Sequence, residues 1–345
     1  MSHSNLTGTD GRGKWYGNLT LILDPELCTV KTCDLSLASF LYIPSLPGNA
    51  IYTAIFALYI AAQLFLGIKY KTWGYMTAMV LGLALEVFGY VARIMLHNDP
   101  FNNNDFLMYL VALTIAPALL SASIYLCLSR IVVVYGETLS RFRPRTYTIV
   151  FCTCDFICLV LQALGGAIAS TANTESSSNL GKNLMLAGLI FQDVSLALFA
   201  IACTDFFLRV RKSRGNWNAR YLDITNSRLF KVFLFGLMTA TITIFIRSSY
   251  RIVELSGGFD SNLFKSDEAV FMIFEGFMIV IATSCLTLLH PAVCFQGAFA
   301  SANFSFRVKK NVNDSSMNSD QESQHSGVPL SMMGPSSREY VALSK

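Results

Sequence analysis

The sequence predicts an all-α integral membrane protein with seven transmembrane helices, its N-terminus outside the membrane and its C-terminus in the cytoplasm. Three observations carry that expectation. Of 345 residues, 53% are hydrophobic and only 14% charged, against about 25% charged in an ordinary soluble domain. Apolar runs of about 20 residues, each long enough to cross a bilayer, recur seven times between residues 48 and 295. Lys and Arg gather in alternate loops, as the preference of short basic loops for the cytoplasmic side requires.

Taken in order, residues 1–47 read as an extracellular segment. Asn5-Leu6-Thr7 and Asn18-Leu19-Thr20 are glycosylation acceptor triplets, which have meaning only on a lumenal or extracellular stretch. Cys28 and Cys33 lie in the same segment, where oxidation is permitted, and are expected to form a disulfide. The opening "MSHSNLTGTDGRGKWYG" lacks the apolar core of a cleavable signal peptide, so insertion is expected to rest on the first span.

The expected transmembrane domain, 48–295, contains spans at Gly48 to Ile68, Gly74 to Leu96, Phe106 to Val134, Tyr147 to Ser170, Asn183 to Leu208, Leu229 to Val253 and Ala269 to Phe295. Lys69 and Lys71 follow the first. Arg141, Arg143 and Arg145 follow the third, and Arg209, Arg211, Lys212, Arg214, Arg220 and Arg228 follow the fifth. Those loops are assigned to the cytoplasm. The alternate connections "HNDPFNNND", "TANTESSSNL" and "ELSGGFDSNLFKSDE" hold acids, with Lys265 and the border residue Lys182 as their basic residues, and are assigned outside. Residues 296–345 begin with Arg307, Lys309 and Lys310 and continue as a polar, Ser/Asn-rich stretch without period, read as a disordered cytoplasmic tail.

The polar residues inside the spans carry the chemistry. An ionised side chain near the bilayer centre costs roughly 2.5–3.5 kcal/mol on insertion scales, so such groups face the bundle interior or a wet cavity. In "IFIRSSYRIVELSGG", Arg247, Tyr250, Arg251 and Glu254 follow i, i+3, i+4, i+7 and share one helix face. Glu254 alone cannot balance two arginines one turn apart, so Glu86 and Glu275 are the expected neutralising acids. At about 1.5 Å per residue, Arg247, Glu275 and Glu86 fall at adjacent depths, and Arg93, Arg251, Glu254 and Glu268 form a shallower layer. A charged cavity in the outer half is the expectation. Two readings of it stand side by side: a salt-bridge network that locks helices together, or an acid-and-base-lined pocket for a zwitterionic or phosphorylated headgroup.

Asp155, Gln162 and Gly166 share a face by i, i+7, i+11, and Gln192 and Asp193 lie mid-helix in the fifth span. Interhelical hydrogen bonding is the plain reading of the two glutamines, while an ionisable Asp155 also suits a carboxylate, proton-acceptor or arginine-partner role. Pro117 is expected to loosen the third helix, and His290-Pro291 to close the last span. Cys127, Cys152, Cys154, Cys158, Cys203 and Cys285 in spans, and Cys294 at a helix end, are read as packing residues, because "CTCDFIC" lacks the paired clusters that hold zinc.

Several function classes fall away. No G-x-x-x-x-G-K-[ST] phosphate loop is present, so ATP hydrolysis is not expected. The histidines, His3, His97, His290 and His325, cannot meet at one depth to bind zinc, and no lysine in the last span offers a retinal Schiff base. No enzyme activity, cofactor, metal or nucleic-acid partner is expected. A seven-span receptor or sensor remains the alternative to a transporter, although "LSRIVVVYGE" and "LHPAVCF" stand where signalling receptors carry their characteristic motifs.

Taken together, "EVFGYVAR" (Glu86 to Arg93), "IAPALLSASIYLCLSRI" (Ile115 to Ile131), "DFICLVLQALGG" (Asp155 to Gly166), "AGLIFQ" (Ala187 to Gln192), "IRSSYRIVELSGG" (Ile246 to Gly258), Glu268 and "HP" (His290 to Pro291) resemble the fungal resistance-to-aminocholesterol-like family of lipid-translocating exporters. The resemblance covers nearly the whole apolar region. It implies a seven-span, N-outside protein of the plasma membrane or a related fungal membrane. It also implies lipid partners, long-chain bases or phospholipids, and resistance to toxic amphiphiles. Where the family often shows an aspartate in the seventh span, this chain has Glu275 in "IFEGFM". The substrate-facing set expected on residue grounds is Glu86, Arg93, Asp155, Gln162, Gln192, Arg247, Tyr250, Arg251, Glu254 and Glu275.

Overall fold

The computed structural model describes residues 7–9, 15–23, 27–38, 40–136, 139–141, 143–171, 174–213, 221–256, 268–296 and 299. Asn5, His3, Arg214, Arg220, Lys265, His325 and the expected tail from residue 300 onward, with Arg307, Lys309 and Lys310, lie outside the described residues.

The N-terminal segment is small and tied down. Strands β1 (Gly8–Thr9) and β2 (Trp15–Tyr16) pair antiparallel, and a short helix, α1 (Leu19–Leu23), follows. Thr7 bridges to Cys33, and Cys28 and Cys33 are joined as a disulfide across a Cα separation of 5.6 Å. The two half-cystines bury themselves with Ala38 and Phe101. Phe101 sits in the turn after the second span, so this small core pins the segment to one end of the bundle. The Nδ1 edge of His97 meets the Pro44 carbonyl oxygen at 2.7 Å and adds a second tie.

The bundle consists of α2 (Leu46–Tyr70), α3 (Trp73–Asn98), α4 (Asn103–Tyr135), α5 (Pro144–Ser170), α6 (Glu175–Lys212), a short connector α7 (Leu222–Asn226), α8 (Arg228–Ser256) and α9 (Glu268–Leu288). Among the described residues, seven helices are long and apolar enough to cross a membrane: α2, α3, α4, α5, α6, α8 and α9. Their starts follow ordinary capping chemistry. Pro47 and Pro144 stand in the first turns of α2 and α5, where no helical amide is needed. Asn102 accepts from the Asn104 and Asp105 amides at 3.0 and 3.3 Å, and Thr174 from that of Ser177 at 3.3 Å. α2 stops at Lys71, whose left-handed φ of 54° lets its amide reach back to Gly67 and Ile68.

The seventh span differs from expectation. It ends at Leu288 rather than at Phe295, and α10 (Pro291–Cys294) starts a separate turn with His290 as its N-cap. A residue preceding proline is held out of the α region, so His290 cannot continue the helix.

α4 is buried over most of its length and forms the centre, while α2 shows the bilayer most of its surface. Leu58, Phe65, Phe156, Ile201 and Phe235 point outward. Such a surface would aggregate in water and suits lipid. α5 and α6 approach unusually closely: a Cβ added to Gly181 would lie 2.5 Å from the Ala169 nitrogen, and one added to Gly165 would lie 2.6 Å from that of Met185. Small residues let membrane helices bring their backbones together in this way. Gly181→Ala meets main chain that cannot swing aside, so it should lose stability by about 1–3 kcal/mol. A thermal unfolding midpoint in nanodiscs unchanged from wild type would contradict this packing.

Candidate functional site

Arg247 sits 1% exposed on α8, and its Nη2 donates to both Glu275 Oε1 and the Leu113 carbonyl oxygen. Each acceptor has a backbone cause. Leu113 lies four residues before Pro117, which has no N–H to give, so a carbonyl that a regular helix would occupy is free for the guanidinium. Glu275 lies in a π-helical turn, Met272–Phe277, within α9. Such turns interrupt the regular ladder and recur at functional sites. Here the Tyr52 hydroxyl of α2 donates to the Met272 carbonyl oxygen at 2.9 Å. Gly276 lets α2 and α3 close on this turn, because a Cβ there would fall 2.6 Å from the Tyr52 ring and 2.9 Å from the Tyr90 hydroxyl.

A second layer lies one turn nearer the N-terminal segment. Arg251 pairs with Glu254 at 2.5 Å and stands 5.9 Å from the centre of the Tyr109 ring. Arg93 is held from several sides. It donates to Asn49 Oδ1 at 3.2 Å and to the Tyr42 hydroxyl at 3.1 Å, and reaches Glu268 at 4.0 Å. Rings of Phe271, Tyr109 and Phe40 flank it at 3.9, 5.3 and 5.4 Å, where a guanidinium gains cation–π attraction. Glu268 is itself oriented by the Ser45 amide at 2.5 Å. Tyr42 lies outside the spans, and burial raises its phenol above the ordinary range, so it stays a neutral partner.

Glu86 requires a correction. Sequence spacing made it a neutralising partner of the arginines, yet neither of its oxygens has a hydrogen-bond partner among the described residues, although it is fully buried within electrostatic reach of Arg247 and Glu275. Glu275 and the carbonyl released by Pro117 take the Arg247 Nη2, while Glu254 and Glu268 serve the other two arginines. Other buried atoms in these layers also lack partners there: Glu275 Oε2, the Tyr90, Tyr109 and Tyr250 hydroxyls, Arg93 Nη1, Arg247 Nε, and Arg251 Nε and Nη2. Tyr250 lies stacked on Phe274 at 5.2 Å. A buried polar group without a partner costs about 1–3 kcal/mol. So many together form a polar lining of donors and acceptors inside an apolar bundle.

The second expected group is placed elsewhere. Ser121 donates to Asp155 at 2.9 Å between α4 and α5, with the Tyr125 hydroxyl close by. Gln162 donates to Gln192 at 2.8 Å between α5 and α6, and Ser249 to Asp193 at 3.0 Å between α8 and α6. None of these bonds reaches Arg93, Arg247 or Arg251.

Sequence reasoning placed α2 as the first span but missed its polar residues. Asn49, Tyr52, Tyr59 and Gln63 lie on a common face and meet Arg93, Met272, Ser284 at 2.7 Å and Thr287 at 3.0 Å respectively. Their i, i+3, i+10, i+14 spacing was the available signal, muted because tyrosine counts as apolar. Phe40 and Tyr42 were missed because nothing in a loop sequence says what it folds over.

Glu275→Gln removes the counter-charge of a buried arginine and should cost about 3–5 kcal/mol. Replacing both partners, Arg247→Met with Glu275→Leu, should recover most of that loss. Unfolding midpoints in nanodiscs separate the cases, and a double variant no better than the single one would show that the pair is not a unit.

With the geometry in place, comparison with known proteins adds the ancestry. The chain is 28% identical over 284 residues to the sphingoid long-chain base transporter RSB1 of Saccharomyces cerevisiae, covering 74% of each protein. It is 29% identical over 249 residues to Protein RTM1 of the same organism, covering 68% of this chain and 72% of the relative. Protein RTA1 is 29% identical over 215 residues, with 62% of this chain and 65% of the relative covered. No solved structure matches. A family model described as RTA1 like protein matches residues 79–298, which contain Glu86, Arg93, Arg247, Arg251 and Glu275: the chain is an integral membrane protein of the RTA1-like family.

Proposed function

We propose that this protein moves amphiphilic lipids, sphingoid long-chain bases foremost, across its membrane, and that the arginine–carboxylate layers receive the headgroup. One observation carries the reading: among the described residues, fully buried Arg247 and Arg251 keep N–H groups without partners beside the unpartnered oxygens of Glu86, Glu275 and Tyr90. A purely structural ion-pair network is poorly supported by energetics, because well-packed apolar residues in place of buried pairs are commonly neutral or stabilising. Donors and acceptors left over inside a lipid-facing bundle suit a ligand that brings its own polar head. The name of the RSB1 relative, a sphingoid long-chain base transporter, supports the same lipid class.

Finer parts of the reading rest on sequence. The alternation of basic loops favours an N-terminus outside and a C-terminal tail, 296–345, in the cytoplasm. With that orientation the charged layers lie in the outer half, Asn5 and Asn18 are glycan acceptors, and the Cys28–Cys33 bridge faces an oxidising compartment. The plasma membrane is the site we favour, with phospholipids and toxic amphiphiles as further substrates.

Proteoliposomes containing the purified chain test this with labelled sphingoid base and labelled phosphoglyceride. Arg251→Lys keeps a positive charge beside Glu254 but loses the planar fork, so the rate should fall at least about tenfold with the fold intact. No movement of either lipid by a well-folded wild type would defeat the transport reading and favour a receptor or regulator acting on another protein's flippase.

A further inference from the structure

Among the described residues, the cluster contains one carboxyl group more than its arginines can match. Arg93 faces Glu268, Arg247 faces Glu275 and Arg251 faces Glu254. Glu86 is the remaining acid, with 0% exposure and both oxygens unpartnered among the described residues. Around it stand Arg247 from α8, Glu275 from the π-helical turn of α9 and Tyr90 one turn along α3. Arg247 is already committed to Glu275 and to the Leu113 carbonyl oxygen.

We propose that Glu86 is the counter-ion for a primary ammonium group on the ligand, and that it carries a proton whenever that ammonium is absent. The inference rests on the headgroup reading above and narrows it, because it selects a cationic amine over a phosphoryl group. Two independent features of the geometry support the choice. The arginines are matched one to one by carboxylates, so an anionic phosphoryl group would bring negative charge to a cluster already rich in it, whereas one added positive charge balances an ionised Glu86. The unpartnered acceptors also suit the ligand: Glu86 Oε1 and Oε2, Glu275 Oε2 and the Tyr90 hydroxyl oxygen offer places for the three N–H groups of a primary ammonium ion. The Tyr90 hydroxyl lies near Gly276, the residue after Glu275, and both Tyr90 and Glu275 stand within electrostatic reach of Glu86.

The step balances. The O–H bond of the Glu86 carboxyl breaks, its electron pair stays on the oxygen, the proton leaves to water, and the ammonium ion takes its place as the neutralising charge. One cation enters for one proton released, so the membrane interior carries no added net charge at any stage, which is the costly condition to avoid there. Binding a cationic lipid and releasing a proton are then one event at a single carboxyl group. Such a site would let a pH difference drive the amine in one direction without nucleotide hydrolysis.

The test uses the full chain in nanodiscs of uncharged lipid and two probes, a C18 2-amino-1,3-diol and its N-acetyl derivative, which keeps the hydroxyls and loses the charge. The amine should bind wild type at least about tenfold more tightly than the amide, and Glu86→Gln should abolish that preference, as removal of one member of a buried charge pair does. In weak buffer with an indicator dye, wild type should release one proton for each amine bound. Glu86→Asp, which keeps the carboxyl group, should retain the preference, so a loss in Glu86→Gln alone cannot be ascribed to misfolding. Equal affinity for the two probes, amine binding by Glu86→Gln as tight as wild type, or binding without proton release would overturn the inference while leaving lipid transport standing. Failure of wild type to bind either probe would sink both.

Discussion

A guanidinium group keeps its charge in any protein environment, and a bilayer interior has no water to solvate it. Arg247 is the point where this chain meets that constraint most severely, and much of the surrounding structure is arranged in answer. Pro117 breaks the α4 ladder and thereby releases the Leu113 carbonyl oxygen for the guanidinium. The π-helical turn of α9 carries the Glu275 carboxylate at the same place. Tyr52 occupies the Met272 carbonyl oxygen of that turn, and the absence of a side chain at Gly276 permits the approach. Features that look like separate irregularities of three helices are therefore parts of a single solution to one desolvation problem.

The two layers solve the problem differently. Arg93 is enclosed by Phe271, Tyr109 and Phe40, an amide oxygen, a phenol and a carboxylate contributed by α2, α4, α9 and the segment preceding α2. That enclosure binds the N-terminal segment to the bundle, and the small disulfide core around Phe101 holds it from the other side. Arg247 and Arg251, like Arg93, keep nitrogens without partners among the described residues, and the oxygens of Glu86 and Glu275 lie in the same neighbourhood. Each arginine thus combines fixed partners with a spare donor, as suits a site that keeps its shape while exchanging its ligand, since preorganised polar groups lose little on binding.

Much of this was legible in the chain. The i, i+3, i+4, i+7 run from Arg247 to Glu254 put those residues on one face of α8, and depth counting brought Arg247 alongside Glu275 and Arg93 into the layer of Glu268. What counting could not supply was partner choice. It treated Glu86 as an equal candidate for the arginines, because depth along a helix axis says nothing about rotation or about a competing carbonyl. Gln162 and Gln192 bond to each other between α5 and α6, as their plain reading as interhelical contacts expected, although they were also counted in the substrate-facing set.

The sequence by itself determined the seven spans and the interior placement of the charges, because these depend on composition and on local periodicity that survives without coordinates, and its ordered motifs carried the resemblance to the family. Tertiary structure alone decided that α4 is central, that α2 closes the site through tyrosine and amide side chains, and that Glu86 has no hydrogen-bond partner among the described residues. These outcomes depend on how helices distant in sequence rotate and bend against each other. A proline that frees a carbonyl or a π-helical turn that displaces a carboxylate becomes meaningful only when another helix arrives to use it.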